Sequence, residues 1–253
     1  MPMRIGRRAA QLSGSPGGPG HYHGPVDVLD EVLHRAGADP DVLGVILTGS
    51  HARGLATAHS DVDVTVVVAE QEVPWRHVTR SAVLDEVVCT AAALADTSVR
   101  WQRYGYRGAK VLLDRLDGGI AALVQRQATP SPEEAAATGR AALDAYLNQL
   151  YRAAKNHRTG AVAAAGLDLA ESVPWLLETV FALHGRLRPY NAYLQWELDT
   201  YPLPAPWAQT LRPERVGRVR HVTAVEALAV QRGHADVLAG WGEDLDLIRR
   251  YAG

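Results

Sequence analysis

The sequence predicts an α+β fold: a mixed sheet with flanking helices, then an all-α bundle. Three observations carry this. Val62, Val64, Val66 and Val68 alternate with Asp63, Thr65 and Val67, the period 2 of a strand with one buried face. Ala82–Thr90 and Gly44–Thr48 are similar short apolar runs. After residue 128 the pattern changes to the 3.6 period of helices and stays there. With 253 residues and 47% hydrophobic content, the chain has enough apolar material for a substantial core.

The elements follow in order. Arg4, Arg7 and Arg8 precede Ser13-Gly14-Ser15-Pro16-Gly17-Gly18-Pro19-Gly20, so residues 1–24 read as a flexible tail. Val26–Ala36 is an amphipathic helix with Val28, Leu29, Val32 and Leu33 on one side. Gly44–Thr48 is the first strand, Leu55–Ser60 a loop and Asp61–Val68 the second strand. Gln71–Arg80 is a polar connection containing Pro74-Trp75. Ala82–Thr90 is the next strand, Ala91–Leu94 starts a helix, Val111–Asp114 is a short strand and Ile120–Gln127 a helix. Residues 25–128 then form one domain and 129–253 a helical one.

Ser131-Pro132-Glu133-Glu134 is a capping box with proline in the first turn, opening a long helix to about Asn156. A second spans about Ala161–His184 and stops at Gly185. A third starts at Arg188-Pro189-Tyr190-Asn191 and ends before Pro202, a fourth begins at Pro213, and Ala235–Tyr251 is the fifth.

Composition narrows the function classes. The net charge is −2, and no basic tract or basic-aromatic interleaving marks a groove for long nucleic acid. No apolar run approaches a membrane span, and the first 24 residues lack the apolar stretch of a signal peptide, so a reduced cytoplasm is expected. Cys89, the one cysteine, lies inside an apolar strand and reads as a small buried residue. His21, His23 and His34 have no ligand-like spacing and read as solvated. Nothing fixes the oligomeric state.

The chemistry concentrates in Gly49-Ser50, a ten-residue gap and Asp61-Val62-Asp63. If the valines of the second strand bury, Asp61 and Asp63 project together from the other face. Two neighbouring carboxylates repel unless a cation lies between them, and Mg²⁺, a hard ion, suits oxygen ligands. Gly49 lets the backbone approach an anion closely, and the Ser50 hydroxyl can donate to the same oxygens. Arg53 follows one short turn later, and a helix starting near Ser50 would point its positive end at phosphates.

This pattern resembles the nucleotidyltransferase superfamily typified by DNA polymerase beta and the aminoglycoside nucleotidyltransferases. Gly49, Ser50, Asp61 and Asp63 match its Gly-Ser and Asp-x-Asp positions, and Ala52-Arg53-Gly54 and Ser60 match common flanking residues. The layout of sheet domain and helical domain is similar to the antibiotic-modifying members. The resemblance implies a polymerase beta-like domain that binds ATP or another nucleoside triphosphate with Mg²⁺. It implies transfer of a nucleoside monophosphate to the hydroxyl of a small, antibiotic-like acceptor, with a place in antibiotic resistance. Asp61 and Asp63 would hold metal, and Gly49, Ser50 and Arg53 would grip phosphates. A third acid is expected on the next strand. There Asp85 and Glu86 are adjacent and face opposite ways, and period 2 does not choose between them; the resemblance favours Asp85 as metal ligand and base. Two other readings stand beside this one: AMP transfer to a protein, as in antitoxin-like members, and a non-catalytic nucleotide-binding regulator.

The helical half offers further candidates. Asn148, Tyr151, Arg152 and Lys155 share one helix face. Members of the superfamily often carry a lysine after a Pro-Tyr-Asn-like stretch; here Ala192 stands there, and Lys155 would substitute as a triphosphate ligand. Glu171 and Glu178 lie two turns apart among apolar residues and would hold a cationic acceptor or act as base. Arg186, Arg188, Tyr190, Asn191, Tyr193 and Trp196 form a polar-aromatic cluster, with Tyr190 a candidate for stacking on substrate.

Overall fold

The computed structural model describes residues 25–70, 78–217 and 221–252, and side chains from Val28 onward. The expected N-terminal tail and Pro74-Trp75 lie outside the described residues.

Five strands form one sheet: β1 (Val42–Leu47), β2 (Val62–Val68), β3 (Thr79–Arg80), β4 (Leu84–Thr90) and β5 (Lys110–Asp114), in the order β3-β4-β2-β1-β5. The β2–β4 pair is parallel and the other pairs antiparallel, so the sheet is mixed, as expected. Alternation along β2 decides the layers. Val62, Val64, Val66 and Val68 bury with Val42, Val45, Leu47 and Val88 beneath α1 (Pro25–Ala38). On the opposite face Val67 packs with Ile46, Leu94, Ile120 and Val124, beneath α3 (Ala91–Ala95) and α5 (Gly119–Ala128). That second face is apolar at one end of β2 and acidic at the other, where Asp63 lies. A five-residue helix, α2 (Gly49–Arg53), follows β1, and α4 (Arg100–Arg103) leads into a 3₁₀ turn at Tyr104–Tyr106.

The helical half is built on α6 (Pro132–Arg158) packed along α7 (Val162–Leu183). The Ser131–Glu134 capping box forms at the start of α6, and Gly185 follows α7 with a positive φ. A 3₁₀ turn at Asn191–Tyr193 leads into α8 (Leu194–Thr200); α9 (Trp207–Thr210), α10 (Val222–Gln231) and α11 (Ala235–Ala252) complete the set. Their apolar faces share one core around Leu143, Leu147, Val180, Phe181, Leu211 and Ile248. One expectation is corrected here: Pro213 does not open a helix. It lies in a turn between α9 and α10, and the helix begins at Val222, where the apolar face with Val225 and Leu228 resumes. Among the described residues, no helix is long and apolar enough to cross a membrane.

Buried charges fasten the elements. Arg103, 2% exposed, donates to the carbonyls of Arg126, Gln127 and Thr129 and to Glu134, tying α4 to the α5–α6 junction. Glu86, 3% exposed, sits on the valine side of the sheet and accepts from Arg35 of α1 at 2.5 Å. Removing one partner strands the other charge in an apolar layer. Arg35→Ala is therefore expected to lower stability to denaturant by about 3 kcal/mol, and adding Glu86→Leu to recover most of that loss. An Arg35→Ala protein as stable as wild type would contradict the pairing.

Candidate active site

The site assembles where β1 ends, β2 starts and β4 runs alongside. Thr48 donates its N–H to the Asp63 carbonyl at 2.9 Å, which docks the end of β1 against β2. The chain then turns through Gly49, whose φ is +62°. A Cβ at Gly49 would lie 1.8 Å from Oδ2 of Asp63. Only glycine permits this contact, on grounds of both space and backbone angle. The Gly-Ser turn and the acid strand thus meet directly, although ten residues separate Ser50 from Asp61.

The parallel register places Asp63 opposite Asp85 and Val64 opposite Glu86. The sequence left the third acid open between these two, and the pairing separates them. Asp85 shares the Asp63 face, while Glu86 points into the valine layer and binds Arg35. The candidate substrate role for Glu86 is therefore corrected: its carboxylate lies on the far side of the sheet.

Asp63 is half-buried, and its side chain has no hydrogen-bond partner among the described residues. Burial, then the charges of Asp61 and Asp85, push its pKa above the ordinary carboxylate value, opposed by Arg53 and His51. Asp85 accepts from Nε of Arg80 at 3.2 Å, an exposed pair on the edge strand. Among the described residues no three His, Cys, Asp or Glu side chains converge closely enough to hold a metal as they stand. The donor chemistry nevertheless suits a hard divalent cation: the groups are all carboxylates, and one is half-buried without a partner and destabilised by its neighbours.

Arg53 departs from its expected role as a phosphate ligand. It is 8% exposed, and its guanidinium donates to the carbonyls of Gly49, Tyr104, Gly105 and Arg107 at 2.5–3.2 Å. Its Cζ lies 4.2 Å from the Tyr193 ring centroid and 5.4 Å from that of Trp196. Five N–H donors in a rigid fork suit this bracing. Arg53 fastens the glycine turn to the 104–107 segment and to the helical half. Ser50 is half-buried in α2, and its hydroxyl has no partner among the described residues.

The helical half reaches the acids through Tyr193. Its pKa is raised chiefly by burial and further by Asp63 and Asp61, which places its phenol within their field, and its ring lies against the Arg53 guanidinium. Behind it, Glu197 is 1% exposed and receives Tyr104 Oη at 3.0 Å, Arg107 Nε at 3.3 Å and Arg186. Tyr104 and Arg107 come from the sheet half and Arg186 from the helical half, so this carboxylate bolts the seam. Sequence reasoning missed Glu197. Its signal was a lone acid between Leu194 and Leu198 on the buried stripe of α8.

The remaining candidates separate. Glu178 and Tyr190 line a cavity of about 530 Å³ at the seam, with Arg100, Trp101, Tyr104 and Trp175. Glu171 is exposed two turns before Glu178 and does not line it. Lys155 does not line the seam cavity. It lies seventeen residues, about 25 Å along α6, from Thr138, which lines the seam cavity. Its ammonium sits 5.1 Å from the Tyr151 ring, and its neighbours Arg152 and Asn156 bind Asp168. Cys89 is half-buried in β4, and burial pushes its thiol up to about 11.

Residues 27–107 match the family model described as a nucleotidyltransferase domain. This segment holds the strands and the glycine turn that carry the acids. A protein of Methanocaldococcus jannaschii named "Putative protein adenylyltransferase MJ1305" is 38% identical over 64 residues, covering 24% of this chain. The matched stretch spans 42% of that relative's length. A crystal structure of a nucleotidyltransferase-like protein from Exiguobacterium sibiricum 255-15 aligns with 89% of this chain and 78% of its own, at 13% identity and a TM-score of 0.43.

The raised pKa of Asp63 has a consequence for stability. Its folded value lies above the ordinary 3.8, so the folded state pays for the charge at neutral pH and is relieved as pH falls toward 3.8. In metal-free protein, Asp63→Asn is therefore expected to melt higher than wild type at pH 7. That advantage should shrink as pH falls through the folded value and vanish below 3.8, where both side chains are neutral. A melting temperature below wild type for Asp63→Asn at pH 7 would contradict the repulsion. Gly49→Ala should be destabilised at every pH, because its Cβ collides with Asp63.

Proposed function

We propose that this chain moves a nucleoside monophosphate, AMP from ATP, to the hydroxyl of a small molecule and releases pyrophosphate. The single observation that carries the proposal is the joining of the Gly49 turn to Asp63 and, through the parallel register, of Asp63 to Asp85. The nucleotidyltransferase domain match over residues 27–107 supports the same reaction class. We place the boundary between transferase domain and helical domain at residues 128 and 129.

In this reading Asp61, Asp63 and Asp85 hold Mg²⁺, which when bound supplies charge neutralisation at the phosphates. The mutual repulsion of the three carboxylates and the unpartnered side chain of Asp63 support that assignment. Ser50 and the backbone at Gly49 orient the triphosphate, and Arg53 keeps that turn in place. Asp85 takes the proton of the acceptor hydroxyl on a carboxylate oxygen. The hydroxyl oxygen forms its bond to the α-phosphorus as the bond to the bridging oxygen breaks, and pyrophosphate leaves. Positioning and charge account for the acceleration. Glu178 and Tyr190 would meet the acceptor at the seam cavity.

A second reading, AMP transfer to a protein hydroxyl, is favoured by the name of the Methanocaldococcus jannaschii relative. The helical half supports the first: it adds a cavity of small-molecule size, about 530 Å³, beside the transferase domain.

Incubation with each labelled triphosphate, Mg²⁺ and a panel of hydroxylated small molecules should give acceptor-dependent pyrophosphate release. Label appearing only on protein would select the second reading, and no release with any triphosphate would reject both. Asp85→Asn should lower release by about 10²-fold or more while triphosphate binding survives. Glu86→Gln should leave release near wild type, because that side chain faces α1. The reverse ranking would remove Asp85 from the role.

A further inference from the structure

The seam cavity contains features that the transfer chemistry does not use. Trp101 is 72% exposed and Trp175 40% exposed, and both line it. Two open indoles on one wall present an apolar stacking surface. Trp101 is not on a loose segment: its carbonyl accepts the Tyr190 hydroxyl at 2.6 Å, and its neighbour Arg100 pairs with Glu178 at 3.2 Å. The backbone at Trp101 is therefore tied across the seam.

The charges along the wall do not balance. Arg100 and Glu178 neutralise each other. Arg188 also lines the cavity, and among the described residues it meets no carboxylate. One of its Nη atoms donates to Asn191 Oδ1 at 2.9 Å, while its buried Nε has no acceptor. A guanidinium whose charge meets no carboxylate favours an anion, and planar anions such as carboxylate or phosphate match its fork. The cavity volume, about 530 Å³, is that of a small-molecule site.

We propose that this cavity binds a flat aromatic or heteroaromatic ring bearing one anionic group, the ring against Trp101 and Trp175 and the anion on Arg188. This revises the expectation that Glu178 anchors a cation, since Arg100 already occupies that carboxylate. It deepens the transfer reading by naming the acceptor's class, and rests on that reading only for calling the ligand an acceptor. The binding itself needs none of the three acids.

The test is calorimetric titration of the full chain, without Mg²⁺ or nucleotide, using phenyl phosphate as probe. Phenol, inorganic phosphate and benzylamine are the comparison titrants. Phenyl phosphate should saturate one site and bind more tightly than any of the three. Its affinity should fall roughly tenfold or more in Arg188→Gln and in Trp101→Ala, both at accessible positions. Arg188→Lys should fall less, and Asp63→Asn should match wild type. Circular dichroism of each variant checks that the fold persists. No saturable binding, unchanged affinity in Arg188→Gln, or tighter binding of benzylamine would each overturn the proposal. Inorganic phosphate binding as tightly as phenyl phosphate would remove the ring. A changed affinity in Asp63→Asn, tighter for an anion relieved of that carboxylate's repulsion, would place the probe at the acids and likewise overturn it. None of these results depends on turnover, so they leave the transfer reaction to its own assay.

Discussion

The contact between Gly49 and the carboxylate of Asp63 organises the rest of the site. It demands a residue without Cβ, in a backbone conformation that glycine adopts readily. It sets the end of β1 against the start of β2, and the parallel pairing of β2 with β4 then carries Asp85 alongside. What the contact brings together is unfavourable by itself: three half-buried acids, two of them, Asp61 and Asp63, without a side-chain hydrogen-bond partner among the described residues. Such an arrangement persists because the surrounding structure holds it.

That holding is done by buried charges at the seam rather than by the acids. Arg53 ties the Gly49 carbonyl of the turn to three carbonyls of the 104–107 segment and stacks against Tyr193. Tyr104 and Arg107, from the same segment, converge with Arg186 on Glu197. Gly108 is part of this seam, since a Cβ there would strike the Trp196 ring at 2.5 Å. The helical half thus reaches the turn through a short chain of buried, hydrogen-bonded side chains. Losing Glu197 would strand two arginines at once, a heavier penalty than losing an exposed pair such as Arg80 and Asp85.

The fold was legible wherever a period was strong. The valines of β2, the capping box at Ser131 and the glycine after α7 all stand where their patterns placed them. Pro213 misled because proline suits a turn as well as a first helical turn, and only the return of apolar periodicity at Val222 distinguishes the two. At the site, spacing identified the glycine turn and two of the acids. It left Asp85 and Glu86 open, because neighbours on a strand always face opposite ways and only the partner strand says which face matters. Arg53 shows the limit of a motif: the residue sits where expected, but its donors are spent on carbonyls contributed by a segment about fifty residues away. Glu197 escaped notice because Tyr104 and Arg107, two of its partners, come from the other half of the chain.

Whether the three acids, gathered by the glycine turn, form a cation site facing the triphosphate is tested most directly by anomalous scattering at the manganese edge. The crystals would be grown with Mn²⁺ and a non-hydrolysable ATP analogue. The expected result is an anomalous peak bounded by the carboxylates of Asp61, Asp63 and Asp85, with phosphate density running to the Gly49-Ser50 backbone. Triphosphate density elsewhere, or a manganese peak away from all three carboxylates, would contradict it.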